Sequence, residues 1–403
     1  MSLYVTLAVL AAFAFVYGAI KDGLAKTIVS GALVFTGFGV LCGPLALNIL
    51  TLRIDMEALR TLAELTLAFV LFTDAANADL RVLRLSIGLP ERLLLIGLPL
   101  TIVLGLGAGM LVFDGLTVLE LGILATMLAP TDAALGKAVV SNTAVPAKVR
   151  ESLNVESGLN DGICVPVLLI FLALATQAAG SGGTIGLAVR LILEEIGIGA
   201  LVGVVLTLLA AGILRLCFHR GWVAETWLPI PIVALAVTCF ATAQALGGSG
   251  FIASFVGGLM FGRLAKHRKE QLLEAAEGTG GLFSLLTWVV FGATVITVSV
   301  EHFDWRIMLY AVLSLTVVRI IPVILSLIGT GLRLESKLFI GWFGPRGLAS
   351  VVFIIIVLGK DLPGRSTLAM TVVCTVVLSI LAHGLTAMPL AAIYGARAQQ
   401  RGV

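Results

Sequence analysis

Long apolar stretches, separated by short charged or glycine-rich breaks, follow one another from end to end of this chain. A bilayer core about 30 Å thick is crossed by about 20 consecutive apolar residues in a helix. Hydrophobic residues make up 59% of the 403 residues and charged residues only 12%, which is more apolar surface than a soluble core can bury. The stretches are continuous and do not alternate with polar residues, which excludes an outer-membrane barrel. The predicted fold class is an all-α polytopic membrane protein with about 13 transmembrane helices, at residues 3–20, 24–41, 61–78, 93–112, 117–136, 152–179, 190–214, 226–246, 249–262, 279–300, 306–330, 338–359 and 366–394.

The positively charged residues are unevenly divided between the two sides of these spans. Of the 26 Lys and Arg residues, 18 fall on one side, 6 on the other, and Arg319 and Arg346 lie inside spans. Because cytoplasmic loops are enriched in Lys and Arg, the N-terminus is predicted outside and the C-terminus in the cytoplasm, in the inner (cell) membrane of a bacterium or archaeon. The basic cluster at residues 263–269 is predicted to face anionic lipid and not nucleic acid.

Two spans are interrupted near their middle by a short stretch that combines a proline with one charged residue. Span 5 is interrupted at Ala129 to Asp132 (APTD) and span 12 at Phe343 to Gly347 (FGPRG). Non-helical backbone at membrane depth is tolerated only where it lines a protein-enclosed cavity, and broken helices at matching positions of two inverted halves point to a transporter's binding site. We therefore predict inverted repeats formed by spans 1 to 6 and 8 to 13, joined by span 7. The alternative is a pair of ordinary proline kinks.

The stretch Glu156 to Gly162 (ESGLNDG) places two acids at the head of span 6, where ionisable groups are costly and therefore functional candidates. At about 100° per residue, Ser157 and Asp161 share one helix face, whereas Glu156 and Asn160 share another. We predict that Asp161 takes up a cation or a proton. The Ser157 hydroxyl and a backbone carbonyl at Thr131 would add the oxygen ligands that a hard cation needs.

The charges of the candidate residues predicted to be buried do not cancel. Asp132, Glu156 and Asp161 stand against Arg319 and Arg346, which leaves one negative charge. One monovalent cation or one proton neutralises it, and a bare buried carboxylate is costly. The hypothesis is that the two ions compete for Asp161, so that each cation carried one way is answered by a proton carried back.

The other charged residues of the spans have more structural roles in this interpretation. Glu156 is predicted to form an ion pair with Arg319. Arg346, at the span 12 break, is predicted to offset the field of the carbonyl ends, with direct contact to the substrate as the alternative. Asp132 either binds the cation through water or balances the dipoles of the half-helices. Asp74, near the end of span 3, either guards the inner entrance or is a solvated helix-end acid.

No resident cofactor or metal is predicted. The five cysteines show neither CxxC pairs nor metal-ligand spacing, and are expected to be reduced packing residues. His383, in span 13, is expected to be packed and not to bind a ligand.

Several motifs, in order over most of the chain, resemble those of the sodium/proton exchanger branch of the monovalent cation/proton antiporter family. Val145 to Arg150 followed by Glu156 to Gly162 resembles its VP..LR and ESLxNDG motifs. Pro130 to Asp132 resembles its PTDP motif, and Gly344 to Gly347 its GLRG motif.

This resemblance implies thirteen helices, with the broken helices of spans 5 and 12 crossing each other, and a homodimer in which a core moves like an elevator against a scaffold. The implied domains are 1–78 (scaffold and dimer spans 1 to 3), 79–183 (core spans 4 to 6), 184–300 (linker span 7 and scaffold spans 8 to 10) and 301–403 (core spans 11 to 13).

The family's ion-binding positions map onto the Thr131 carbonyl, Asp132, Ser157 and Asp161, where Na+ would bind. Its helix 3 acid maps onto Asp74, and its structural ion pair onto Glu156 and Arg319.

The pair Asn160-Asp161 is similar to that of the electroneutral branch, so the expected function is one-for-one exchange of Na+ or Li+ for H+ by a secondary transporter that is not an enzyme. The alternatives are K+/H+ exchange or proton-coupled carriage of another small solute. From a different class, an intramembrane aspartyl protease is disfavoured because no GxGD surrounds Asp132 or Asp161.

Overall fold

The structure, a computed structural model, describes residues 3–24, 30–50, 56–78, 88–132, 135–140, 142–179, 185–222, 227, 229–265, 269–296 and 303–400. Within these ranges the regular secondary structure is entirely helical. Seven described helices are long and apolar enough to cross a membrane, and five shorter ones are apolar. Part of the evidence for the predicted orientation, including Arg53, Arg81, Arg84 and Arg268, lies outside the described residues.

The helices are numbered here in chain order. They are α1 (Leu3–Leu24), α2 (Gly31–Cys42), α3 (Met56–Asn77), α4 (Leu89–Arg92), α5 (Leu98–Val112), α6 (Val118–Met127), α7 (Lys137–Val140), α8 (Ala147–Ala179), α9 (Ile185–His219), α10 (Pro229–Ala245), α11 (Gly250–Leu264), α12 (Lys269–Val290), α13 (Trp305–Leu315), α14 (Val317–Ser326), α15 (Leu334–Trp342), α16 (Leu348–Leu358) and α17 (Arg365–Gln400). Two π-helical segments, Leu93–Gly97 and Phe291–Val295, join α4 to α5 and extend α12.

Each predicted span overlaps at least one of these helices, but several helices extend beyond the apolar stretch that predicted them. α12 begins at Lys269, ten residues before the predicted start at 279, and α9 covers 185–219 where 190–214 was predicted. Hydropathy locates the apolar part of a helix, whereas the backbone hydrogen bonds continue into polar turns beyond it.

Span 11 was predicted as one continuous helix and is instead divided at Thr316, whose φ of −114° and ψ of −90° lie outside the helical region. Pro322, six residues later, cannot donate a hydrogen bond to the preceding turn and is the nearest sequence feature that weakens this helix. The division lies three residues before Arg319.

The helices form two packed groups. In the first group α3, α9, α10, α11 and α12 pack on one another, and α2 packs against α12. In the second group α5, α6, α8, α13, α14, α15, α16 and α17 are connected by direct contacts. The groups meet mainly where α8 and α16 contact α3 and where α8 contacts α9 and α11. α8, which carries the ESGLNDG stretch, therefore lies at the boundary.

Glycines let the helices of the first group approach closely. On α11, a side-chain carbon added at Gly258 would clash with the Phe72 carbonyl of α3, and one added at Gly262 would clash with the Ala76 carbonyl. Gly258 and Gly262 are four residues apart, and so are Phe72 and Ala76, so successive turns of α11 meet successive turns of α3. Small residues at this spacing are the usual means by which membrane helices pack without a hydrophobic driving force between them.

We expect Gly258→Ala to lower the stability of the protein by about 1–3 kcal/mol, because the added methyl meets backbone and can be relieved only by moving α11 away from α3. The measurement is the melting temperature in detergent. Gly107→Ala on α5 is the matched control, because nothing lies within 4 Å of the added carbon there. Equal melting of the two variants would contradict the close packing of α3 and α11.

Candidate ion-binding site

The two predicted breaks are present and lie against each other. α6 ends at Met127, α15 ends at Trp342, and α16 begins at Leu348. The amide of Asp132, in the first break, donates to the carbonyl of Pro345, in the second, at 2.8 Å. A backbone hydrogen bond therefore joins the two breaks.

Arg346 satisfies the carbonyl groups that follow α6. Its Nη1 donates to the carbonyl oxygens of Ala129 and of Pro130, the latter at 3.0 Å, and the side chain is fully buried. Carbonyl groups at a helix end have no helical donor and carry partial negative charge, which a cation offsets.

Asp132 places a negative charge at the N-terminus of α16 and accepts a hydrogen bond from its first residue. Its Oδ2 accepts from the amide of Leu348, the first residue of α16, at 2.9 Å, and its Oδ1 accepts from the amide of Leu135 at 3.1 Å. An anion is favourable at a helix N-terminus. Each broken helix therefore receives a capping side chain from the other. That Asp132 also ligates the cation remains a prediction.

Three buried polar side chains fix the first break to α8. Asn160 Nδ2 donates to Thr131 Oγ1 at 2.7 Å, and Thr131 Oγ1 lies 2.9 Å from Ser157 Oγ. Thr131 and Asn160 are almost wholly inaccessible and Ser157 is 7% exposed. The hydroxyl of Ser157 therefore lies at the break. The helical spacing puts Asp161 on the same face of α8 as Ser157.

Asp161 is one of several buried residues, Arg346 among them, with a polar atom that lacks a hydrogen-bond partner among the described residues. It is 7% exposed, and its Oδ1 is buried without a hydrogen-bond donor among the described residues, as is Oδ1 of Asn160. A buried oxygen without a donor is costly, and a carboxylate and amide oxygens are ligands that a hard cation accepts. Within the described part of the chain, no group of three or more His, Cys, Asp or Glu residues could hold a resident metal.

Asp74 lies beside this site. A carbon added at Gly158, one turn before Asp161, would lie 3.9 Å from Asp74 Cβ. Asp74 is half-buried, and its negative charge is close enough to those of Asp161 and Asp132 to repel them. The count of buried charges made from the sequence omitted this acid, which belongs to α3 in the first group of helices.

Sequence reasoning missed Glu277. This exposed residue of α12 accepts a hydrogen bond from Asn77 Nδ2 at 2.5 Å, and its charge acts on Asp74. Glu277, Asp74 and Asp161 are successively more buried. No sequence signal pairs α12 with α3, since Asn77 and Glu277 are 200 residues apart.

Glu156 and Arg319 form a bidentate ion pair inside the second group. Nη1 lies 2.6 Å from Oε1 and Nη2 lies 2.8 Å from Oε2, and both side chains are 1% exposed. A side chain at Gly344 would clash with Arg319 Nε, so the second break passes over this pair only because residue 344 is glycine.

A family model described as "Sodium/hydrogen exchanger, transmembrane" matches residues 6–393. Among similar proteins, the K(+)/H(+) antiporter NhaP of Alkalimonas amylolytica is 23% identical over 363 residues, covering 89% of this chain and 61% of that protein. The Na(+)/H(+) antiporter NhaH of Halobacillus dabanensis is 28% identical over 286 residues, covering 66% of each. The alignment thus covers less than two thirds of either relative's length.

The fold matches a solved structure over almost its entire length. The sodium proton antiporter MjNhaP1 from Methanocaldococcus jannaschii superposes with a TM-score of 0.75 at 20% identity, covering 97% of this chain and 98% of that one. At this identity, the likeness establishes the fold.

Proposed function

The chain belongs to the sodium/hydrogen exchanger family, and from that premise we propose that it exchanges Na+ or Li+ for H+ as a secondary transporter of the cell membrane. The observation that carries the proposal is the carboxylate of Asp161, which is buried on α8 near two helix breaks that a backbone hydrogen bond joins, with one oxygen lacking a donor among the described residues. Such a group is stabilised by either ion.

The exchange would arise from competition for Asp161. A proton on the carboxylate removes its charge, while a bound cation neutralises it with help from Ser157, the Thr131 carbonyl and Asn160. Only one of the two ions fits at a time. If the neutral, loaded site can change sides and the bare anion cannot, inward and outward steps are obligatorily coupled.

The distribution of charge between the two groups supports one-for-one exchange. Asp161, Asp132 and Glu156 are on the second group together with Arg319 and Arg346, so these five residues, which would travel with the site, carry one net negative charge. Asp74 is on the first group and does not enter this sum. One monovalent cation or one proton neutralises these five residues.

The position of α8 supports an elevator movement. α8 lies at the boundary of the two groups and contacts α3, α9 and α11 across it. We propose that the second group is the moving core and that the first group is the scaffold of a homodimer, with the N-terminus outside and the C-terminus in the cytoplasm.

The experiment is transport into proteoliposomes under an imposed pH gradient. We expect Na+ or Li+ to move against protons, at a rate that does not change when the membrane voltage is clamped at different values. Absence of cation-driven proton movement would overturn the function. A rate that depends steeply on voltage would overturn the one-for-one stoichiometry and leave exchange standing.

K+/H+ exchange is the second candidate, because a relative similar over 89% of this chain is named as a K(+)/H(+) antiporter. The same assay with Li+, Na+ and K+ in turn separates the two. Faster proton movement with K+ than with Na+ at equal concentration would favour the second candidate.

A further inference from the structure

Ser379 and His383 lie one turn apart on α17 and face the break between α15 and α16. His383 is 2% exposed, and its Nε2 lies 2.8 Å from the carbonyl oxygen of Trp342. Ser379 is fully buried, and its Oγ accepts from the backbone amide of Arg346 at 2.6 Å. These two side chains therefore bond to one backbone group on each side of the break.

The two backbone groups are those that an unbroken helix would pair with each other. In a regular α-helix the amide of residue 346 donates to the carbonyl of residue 342. Here the Trp342 carbonyl instead accepts from the amide of Gly344 at 2.9 Å, in a tight turn at Phe343 with φ −82° and ψ 61°. Ser379 thus replaces the lost acceptor, and His383 adds a second donor to the carbonyl.

The hydrogen positions of this arrangement follow from its partners. A carbonyl only accepts, so Nε2 of His383 carries a proton. Nδ1 lies 3.1 Å from Ser379 Oγ and 2.9 Å from the Ser379 carbonyl. A neutral ring accepts from the serine hydroxyl, which has its own proton free because the oxygen accepts from Arg346. A charged ring donates to the serine carbonyl, and the bond to Trp342 is kept in both cases.

We propose that Ser379 and His383 are positioning residues for cation binding, an inference that rests on the proposed exchange function. They hold the Trp342 carbonyl and the Arg346 amide at a fixed separation, which sets the backbone position of Arg346. The Arg346 side chain in turn holds the carbonyls of Ala129 and Pro130, immediately before Thr131. The pair thereby fixes the oxygen groups of the ion site without touching the ion.

The first test compares Ser379→Ala with Thr375→Val. Thr375 is also fully buried, one turn earlier on α17, but its hydroxyl donates to the Thr371 carbonyl of the same helix. We expect Ser379→Ala to raise the KM for Na+ about 10-fold or more, because the buried Arg346 amide loses its acceptor, with turnover at saturating Na+ reduced less than about 3-fold. Thr375→Val should leave the KM within about 2-fold of the wild type.

The second test uses His383→Gln and His383→Leu. Glutamine retains a donor for the Trp342 carbonyl and should keep the KM for Na+ within about 3-fold of the wild type, whereas leucine should raise it about 10-fold or more. Equal KM values for the two variants would overturn the positioning role of His383.

A third measurement does not depend on transport. Hydrogen exchange of peptides containing Phe343 to Leu348 should be at least about 10-fold faster in Ser379→Ala than in Thr375→Val. If the wild type fails to exchange ions, the proposed function fails, and this comparison still tests the pair. If the wild type transports but both the KM and the hydrogen exchange of Ser379→Ala match those of Thr375→Val, the inference is wrong.

Discussion

Asp161→Asn is expected to reduce cation/proton exchange in proteoliposomes at least about 100-fold, which corresponds to about 2.7 kcal/mol of additional barrier. Asparagine has the shape of aspartate but cannot release a proton or carry the negative charge that attracts a cation. The buried Oδ1 that lacks a donor would become part of a neutral amide. Neither half of the exchange cycle can then be completed.

Binding can be measured on the same variant without transport. A cation that binds only the folded protein raises its melting temperature, so Na+ should stabilise the wild type in detergent and leave Asp161→Asn unchanged. Asp361→Asn is the control, because its carboxylate is fully exposed in the segment between α16 and α17. If Asp161→Asn exchanged ions at one tenth of the wild-type rate or faster, or were stabilised by Na+ as the wild type is, Asp161 would not be the site that the cation and the proton share.

Glu156→Gln is expected to lower the free energy of unfolding by about 3–5 kcal/mol, because it leaves Arg319 buried without a counter-charge. Both members of the pair are 1% exposed, so water cannot replace the lost carboxylate. The measurement is chemical or thermal unfolding in detergent, and the expected fall is large compared with that for most single substitutions.

The matched control for this pair is Glu335→Gln. Glu335 Oε1 lies 3.0 Å from Arg397 Nη1, but this pair is partly exposed, and its loss should cost less than about 1 kcal/mol. In addition, Glu156→Gln combined with Arg319→Met should recover part of the stability, because a neutral pair no longer needs a counter-charge. Similar melting of Glu156→Gln and Glu335→Gln would contradict a structural role for the buried pair.

The helices and their two breaks could be predicted because the signals are local. Hydropathy marks each apolar stretch. A proline within two residues of Asp132 marks the first interruption, and a proline directly before Arg346 marks the second. The helical repeat also put Ser157 and Asp161 on one face. The interruption at Thr316 has no comparable local signal, since the nearest proline is six residues away, and it was missed.

The contacts around the site could be predicted only in part, because the residues that make them come from distant parts of the chain. Asp74 was a candidate for the entrance, but the choice between that role and a solvated helix end depends on the packing of α3 on α8, and Glu277 comes near Asp74 only through the packing of α12 on α3. Spacing within one helix gives the face on which a residue lies, but not the helix that the face meets. For the same reason His383 was expected only to be packed, and its bond to the Trp342 carbonyl was not foreseen.

The exchange of capping groups between the broken helices also bears on how the protein is made. Asp132 bonds the start of α16 and Arg346 bonds the end of α6, although more than 200 residues separate them. Because Arg346 is synthesised more than 200 residues after Ala129 and Pro130, the carbonyls of these two residues can gain this donor only after most of the chain has been made. The joining of the two breaks is therefore a late step of biogenesis.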